Sequence, residues 1–445
     1  MFRQSAYRHS GSIWPAPPYA ALHMSKQSLS IDRPSKRGFG PLLVTMSCGA
    51  INDNLLRGAL LLSVAPGGLW GGDLGEGGTG WVTVMLYLPF ILLLGVTGQI
   101  ADKYRKRSVI VWTRLVEIGL AAGITVALWY ESLLLVSVFF VLLAAQSAFF
   151  SPAKYGSVPD LVADDALSRA NGILSMLTNM AIILGIVVAG YLLEAGPVLI
   201  GLVMIVIAII SYFSSVRLPN LPPAEPNLQV SWRTFTSHFR VLGRMRGTPL
   251  FQATLAWSWF YAVGSLVLVI VPMWRAELHL SESESSAMLA ATVVGIGIGG
   301  VVAGFGSGKK ICAIFIPIGA GGMTVSFVLL GLLEPTLVRA LVLLTLVGVF
   351  AGFYVIPILA MLQHLPVPAF RARTIGTANF ITYVAMTISA VAFGVLAPIL
   401  GSEPRMWFLG CAVAMSLVFI GAILQHASMC AGAAASAFGT VGEPK

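Results

Sequence analysis

About twelve stretches of this chain are apolar for long enough to cross a lipid bilayer, and they follow one another with only short polar joints between them. A helix needs about 20 apolar residues to span the hydrocarbon core. The stretches fall at 39–64, 81–100, 108–130, 133–150, 172–193 and 198–216, then at 250–274, 286–306, 311–333, 338–362, 375–396 and 407–425. They are continuous rather than alternating, which argues for helices and against a membrane barrel, whose segments alternate and run about 10 residues. Hydrophobic residues make up 57% of the chain and charged residues 10%, which excludes a water-soluble fold. The expected fold class is all-α, a polytopic membrane protein with both termini on one side.

The net charge of +9 invites a nucleic-acid reading, but its placement argues otherwise. When the 27 Lys and Arg are sorted by joint, 22 fall on the side that holds both termini. Only Arg275, Arg339 and Arg405 fall opposite, and Arg57 and Arg114 lie inside apolar stretches. By the positive-inside rule both termini are expected in the cytoplasm. No nucleic-acid partner is expected, and neither a metal nor a cofactor. The four cysteines, Cys48, Cys312, Cys411 and Cys430, lack metal-ligand spacing and read as lipid-facing or packed small residues, not a disulfide framework.

Residues 1–38 carry no compact apolar region with a cleavage site and read as a disordered basic segment, with Met24 a plausible native start. A first six-helix half is expected at 39–218, a cytoplasmic linker at 219–249, a second half at 250–426 and a tail at 427–445. The linker opens with a proline-rich run and continues with Trp232, Phe235, Phe239 and Leu242 at near-helical spacing among basic residues, the pattern of an amphipathic helix on an anionic leaflet. Ala170-Asn171 near the fifth stretch and Ala378-Asn379 near the eleventh suggest an internal repeat of two halves.

Charges within the apolar stretches point to a site, because each costs a few kcal/mol unless it faces a cavity or a partner. The first stretch carries Asn52-Asp53-Asn54 and then Arg57, so that Asp53 and Arg57 share a helical face, a polar cluster that reads as a substrate or ion site or else as a structural tie to a neighbouring helix. At ~1.5 Å per residue, Asp53 lies near mid-membrane. Arg114 and Glu117, spaced i,i+3, can pair with each other and reach back toward the interface. The aromatic group Trp257, Trp259, Phe260 and Tyr261 reads first as packing. After the fourth stretch, Pro152 is expected to bend or end the helix, with Lys154 presenting a cation suited to phosphate.

Between the second and third stretches stands Gly98-Gln99-Ile100-Ala101-Asp102-Lys103-Tyr104-Arg105-Lys106-Arg107. Gly98 would allow close helix approach, Asp102 would pair with a cation or a helix N-terminus, and Lys103, Arg105, Lys106 and Arg107 would hold the cytoplasmic face. This loop resembles the signature of the major facilitator superfamily, with Arg105 where that family usually has Gly. The resemblance implies two six-helix halves and a gating latch. Gly304 to Lys310 looks like its decayed copy in the second half.

Together with Asn52-Asp53-Asn54, the run Ser151-Pro152-Ala153-Lys154-Tyr155-Gly156, and Ala351-Gly352-Phe353-Tyr354-Val355-Ile356-Pro357, the loop resembles the bacterial lysophospholipid transporters within that superfamily. That likeness implies alternating-access transfer of lysophospholipids to the inner leaflet for re-acylation, with a separate acyltransferase or acyl-carrier synthetase as a possible partner. Where some members of that family place a cation on the seventh helix, this chain reads Gly264-Ser265-Leu266-Val267-Leu268. The expected substrate-binding residues are Asn52, Asp53, Asn54, Arg57, Arg114, Glu117 and Lys154. A proton-coupled exporter of amphipathic molecules is the second reading, with Asp53 or Glu117 carrying the proton. A non-transporting scaffold is the third. No enzyme is expected, since none of the six histidines has an Asp at the spacing an acyltransferase needs.

Overall fold

The computed structural model describes residues 38–162, 167–232, 234–307, 314–365, 371–401 and 403–439. Residues 1–37, Lys309, Lys310 and Lys445, which the sequence reading places in the basic segment, the decayed loop and the tail, lie outside the described residues. All regular structure among the described residues is helical.

The first six long helices are α1 (Phe39–Val64), α2 (Gly78–Lys103), α3 (Lys106–Trp129), α4 (Leu133–Leu161), α5 (Leu167–Ala195) and α6 (Pro197–Val216). A 12-residue helix, α7 (Thr234–Met245), lies in the linker. The second set comprises α8 (Pro249–Ile270), the short α9 (Trp274–Glu277), α10 (Glu282–Ser307), α11 (Phe315–Leu332), α12 (Leu337–His364), α13 (Arg371–Leu400) and α14 (Pro404–Gly439). Pro272 removes a backbone donor between α8 and α9 and turns the chain into a 3-10 segment, Val271–Met273. Eleven spans among the described residues are long and apolar enough to cross a membrane. Helix α1 is equally long at 26 residues, but it is not among the eleven. Its Asn52-Asp53-Asn54 and Arg57 make it less apolar, and counting it gives the twelve expected.

The pairing of helices repeats. In the first set α1 packs on α5, α2 on α4, and α3 on α4 and α6. In the second set α8 packs on α13, α10 on α12, and α11 on α12 and α14. The two sets meet through α2 against α13 and α5 against α10, the same contact made twice with the roles exchanged. Ala170 and Ala378 therefore sit on helices that occupy corresponding places, α5 and α13.

At the joint Gly196, φ is +140°, which L side chains rarely adopt, and Pro197 then starts α6 with its φ already set. Helix α4 runs through Pro152 and Pro159 to Leu161, so the expected end of the helix at Pro152 does not occur. Membrane helices tolerate proline where neighbouring helices and hydroxyls take up the freed backbone groups.

Large apolar side chains remain exposed along the outside, Leu134, Val206, Val325 and Val413 among them. Such a belt suits lipid rather than water. Inside the first set the apolar core is split. One cluster holds Leu55, Leu56, Ala121, Phe140, Leu143 and Met204. The other holds Leu42, Met46, Ile110, Phe150, Ala153 and Leu161. Between them on α1, α3 and α4 lie Asn52, Asp53, Arg114, Glu117, Gln146 and Ser147, so a polar layer crosses this half at mid-height. The second set has one continuous core instead, from Ala253 to Met415, which Leu62 and Ile186 of the first set join.

Candidate functional site

The polar layer is built from three helices and braced by a fourth. Glu117 forms an ion pair with Arg114, one turn earlier on α3, and both side chains are 1% exposed. Asn52 of α1 donates to Glu117 Oε1 at 2.8 Å and to the carbonyl of Met204 on α6 at 3.2 Å. The Arg114 guanidinium lies over Phe150, 3.9 Å from the ring centroid, a cation–π contact. Gly49 makes room for it, because a Cβ there would strike Arg114 Nη1. The pair is thus buried in the core and does not reach for the interface. Here the expectation of snorkelling is overturned, since Asn52, Phe150 and Met204 compensate the charges where they stand. Two guanidinium nitrogens, Nε and Nη2, have no partner among the described residues.

Asp53 and Arg57 do not pair. Ser147 Oγ on α4 lies 2.9 and 2.8 Å from the two carboxylate oxygens of Asp53. Gln146 Oε1 lies 3.2 Å from the same hydroxyl oxygen, and its amide nitrogen donates to the carbonyl of Thr113 at 2.9 Å. Arg57 turns the other way and donates from Nη2 to the hydroxyl of Tyr87 on α2 at 2.9 Å. The shared helical face is real, but each side chain finds a partner on a neighbouring helix. Asn54 bonds back to the carbonyl of Ala50 within its own helix. Lys154 sits 4.4 Å from the centroid of the Tyr155 ring and 5.7 Å from that of Phe150.

Of the aromatic group on α8, Trp257 and Phe260 are buried, and Trp259 anchors its indole N–H on the carbonyl of Ala414 at 3.1 Å. Tyr261 keeps some accessible surface. Residues the sequence reading missed complete the layer: Ser147, Gln146 and Tyr87. The adjacent Gln146-Ser147 within the apolar α4 was the available signal.

The loop from Gly98 to Arg107 departs from expectation at several positions. A Cβ at Gly98 would meet nothing within 4 Å, so this glycine serves no close approach. Arg105 sits at φ −60° and ψ 119°, backbone open to any residue, so no glycine is needed there. Asp102 makes no ion pair among the described residues; its backbone carbonyl accepts from the N–H of Glu225 in the linker at 2.9 Å. Lys106 pairs instead with Asp160 at the end of α4, at 2.6 Å. Arg107 holds the carbonyl of Val216 at 2.8 Å, and Lys103 lies near Tyr104, 5.8 Å from its ring centroid.

The linker itself spans the two sets. Gln99 of α2 exchanges two hydrogen bonds with the backbone of Ser231, at 2.9 and 2.8 Å. On α7, His238 stacks on Phe380 of α13 at 4.8 Å with Nδ1 3.2 Å from Thr377 Oγ1, and Phe239 meets Phe380 edge-on. Trp232 stays exposed.

A bundle of membrane-length helices in two matching sets, with a charged layer inside one of them, defines a polytopic transport protein. The sequence matches the Major Facilitator Superfamily over residues 42–390, and the chain belongs to that family. It is 28% identical over 339 residues to the lysophospholipid transporter LplT of Photorhabdus laumondii, covering 74% of this chain and 80% of that protein. To the protein of the same name from Salmonella newport it is 29% identical over 291 residues, covering 63% and 68%. Among solved structures, a POT family transporter in complex with a thioalcohol-conjugated peptide superposes with a TM-score of 0.69 at 13% identity, covering 88% of this chain and 96% of that one. A bacterial homolog of the human lysosomal transporter Spinster, inward-facing and unoccupied, gives 0.60 at 15% identity, covering 88% and 96%. At those identities the likeness shows the fold alone.

Proposed function

We propose that this multi-pass protein moves lysophospholipids across the bacterial inner membrane by alternating access, with its basic side in the cytoplasm. The observation that carries the reading is the separation of Asp53 and Arg57: two opposite charges on one face of α1, each resting on a neutral hydroxyl rather than on the other. A pair held apart in this way is available to a ligand that carries charge of its own. The phosphate of a lysophospholipid would take Arg57 and Lys154, the more so because the seventh-helix cation of some relatives is missing here. Asn52, Arg114 and Glu117 would hold the layer from behind, with Asn54 at its edge. The lysophospholipid transporters of Photorhabdus and Salmonella support the substrate class. In this reading the loop from Gly98 to Arg107 works as the gating latch through Lys106–Asp160 and the linker. A separate acyltransferase or acyl-carrier synthetase would consume the product.

A leaflet-resolved assay in proteoliposomes tests this, with labelled lysophospholipids run beside a panel of amphipathic cations. Protein-dependent movement of the lysophospholipid that persists when the proton gradient is collapsed is the expected result. Movement of the cations alone, driven by that gradient, would replace it with the exporter. For the orientation, a reporter joined after Lys445 should read cytoplasm and a cysteine near Gly78 should read exterior.

A further inference from the structure

The linker helix α7 has two unlike faces. Met245 is buried and His238, Val241 and Leu242 are half-buried, with His238 packed on Phe380 and Thr377 of α13. Phe239, Arg240, Gly243 and Arg244 are exposed, and Arg246, one residue past the helix, is exposed as well. At ~100° per residue, the four helical positions fall on one outward arc of ~140°. That arc is basic without relief. No Asp or Glu occurs between Pro226 and Pro249. Among the described residues, Arg240, Arg244 and Arg246 make no ion pair.

What α7 touches sets its depth. The apolar span of α13 opens at Thr374, and α7 rests on Thr377 and Phe380 within it. At ~1.5 Å per residue these contacts lie ~5 and ~9 Å inside the edge of the span. Arg246 stands just before Pro249, where the next span begins. Helix α7 therefore lies along the boundary of the bilayer, at the level of the lipid headgroups. The exposed Trp232 that precedes it suits the same level, where indole rings collect.

Guanidinium groups at this depth match phosphate oxygens with paired N–H donors. A zwitterionic headgroup cancels the charge of its own phosphate, whereas phosphatidylglycerol keeps a net negative charge, so three unpaired cations favour the anionic lipid. We propose that the outward arc of α7, through Arg240, Arg244 and Arg246, is a binding surface for anionic phospholipid headgroups. The strap that runs from Gln99 of α2 through Ser231 to Phe380 of α13 is thereby tied to the leaflet on which it lies. This contact needs the membrane fold but neither the substrate nor the direction of transport.

Chymotrypsin cleavage after Phe239 tests it, on the purified full-length protein in maltoside micelles with phosphatidylglycerol, phosphatidylcholine or inorganic phosphate added. Phosphatidylglycerol should slow the cleavage about tenfold more than phosphatidylcholine, and raised salt should shrink that ratio. Inorganic phosphate should leave the rate unchanged. Changing Arg240, Arg244 and Arg246 together to Gln should bring the ratio toward one, while changing the same three to Lys, which keeps the charge, should retain most of it. A variant that loosens α7 itself is recognised by faster cleavage without lipid. For that case a bimane on Gly243→Cys, where a Cβ meets nothing within 4 Å, reads the contact directly. With Cys48, Cys312, Cys411 and Cys430 changed to Ala, brominated phosphatidylglycerol in nanodiscs should quench it more than brominated phosphatidylcholine. Equal protection by the two lipids in the wild type would overturn the proposal, as would an undiminished preference in the Gln variant. Protection by inorganic phosphate equal to that by phosphatidylglycerol would assign the arc to free anions, and protection that grows with protein concentration alone would assign it to a second copy; either overturns it. Selectivity for phosphatidylglycerol without lysophospholipid movement keeps the surface and removes the transport reading, and movement without selectivity does the reverse.

Discussion

Ser147 holds Asp53 by both carboxylate oxygens, at 2.9 and 2.8 Å, while Arg57 on the next turn of α1 bonds to Tyr87. The arrangement separates two explanations for a carboxylate in mid-membrane. Were Asp53 present only to neutralise Arg57, the two would touch, and removing both charges would cost little. They do not touch. Asp53→Asn should therefore lower transport at least about tenfold, equivalent to about 1.4 kcal/mol, while membrane yield stays near wild type. Adding Arg57→Gln should not restore transport. Recovery in the double variant, measured in the same vesicle assay, would remove Asp53 from the substrate-contacting residues.

The Arg114–Glu117 pair behaves differently, because it is closed in by Asn52 and Phe150. Breaking a buried pair leaves one charge uncompensated, at a cost of about 3–5 kcal/mol. Glu117→Ala should lower the thermal unfolding temperature in maltoside and the membrane yield together. The double variant Arg114→Met with Glu117→Gln, neutral and similar in volume, should recover most of that stability. A single variant as stable as wild type would show that the pair does not brace the half.

The twelve runs and their order were legible in the sequence because apolar length alone decides whether a helix can span lipid. Asp53, Arg57, Arg114 and Glu117 were legible as candidates because charge in that setting is rare. Their partners were not. The i,i+4 spacing placed Asp53 opposite Arg57, but Ser147 and Tyr87 lie 94 and 30 residues away in the chain and outcompete the local pair. Pro152 reads locally as a helix end, and only packing within the bundle lets α4 continue past it.

His238 gives the linker a pH dependence. Burial against α13, where it stacks on Phe380 and meets Thr377, pushes its imidazole below the ordinary value of 6.5. The docked helix therefore binds the proton less readily than the free one. Docking is undiminished above pH 6.5 and weakens as pH falls below it toward the depressed value. Proteolysis within α7 should rise between pH 7.5 and 5.5, and His238→Asn should flatten that profile. A wild-type profile already flat across the window would show that α7 does not dock through His238.

The last prediction concerns the end of the bundle where the halves touch. A Cβ on Gly80 of α2 would meet the carbonyl of Ala390 at 2.8 Å and the nitrogen of Gly394 at 2.9 Å, both on α13. These are backbone atoms, which cannot swing aside. At the other junction, Glu194 of α5 accepts from the N–H of Ser283 in α10 at 2.8 Å, a second tie between the halves. Gly80→Val should push α2 from α13 there and favour the conformation open on that side. A cysteine placed at position 54, read by a membrane-impermeant maleimide added from the side of the loop before Gly78, should label several-fold faster in the Gly80→Val background. Gly119→Val serves as the control, since a Cβ at Gly119 meets nothing within 4 Å, and it should label at the parent rate. Equal labelling in Gly80→Val and Gly119→Val would mean that the α2–α13 contact does not govern access. If Glu194→Gln alone raises the labelling, the controlling tie is the one between α5 and α10.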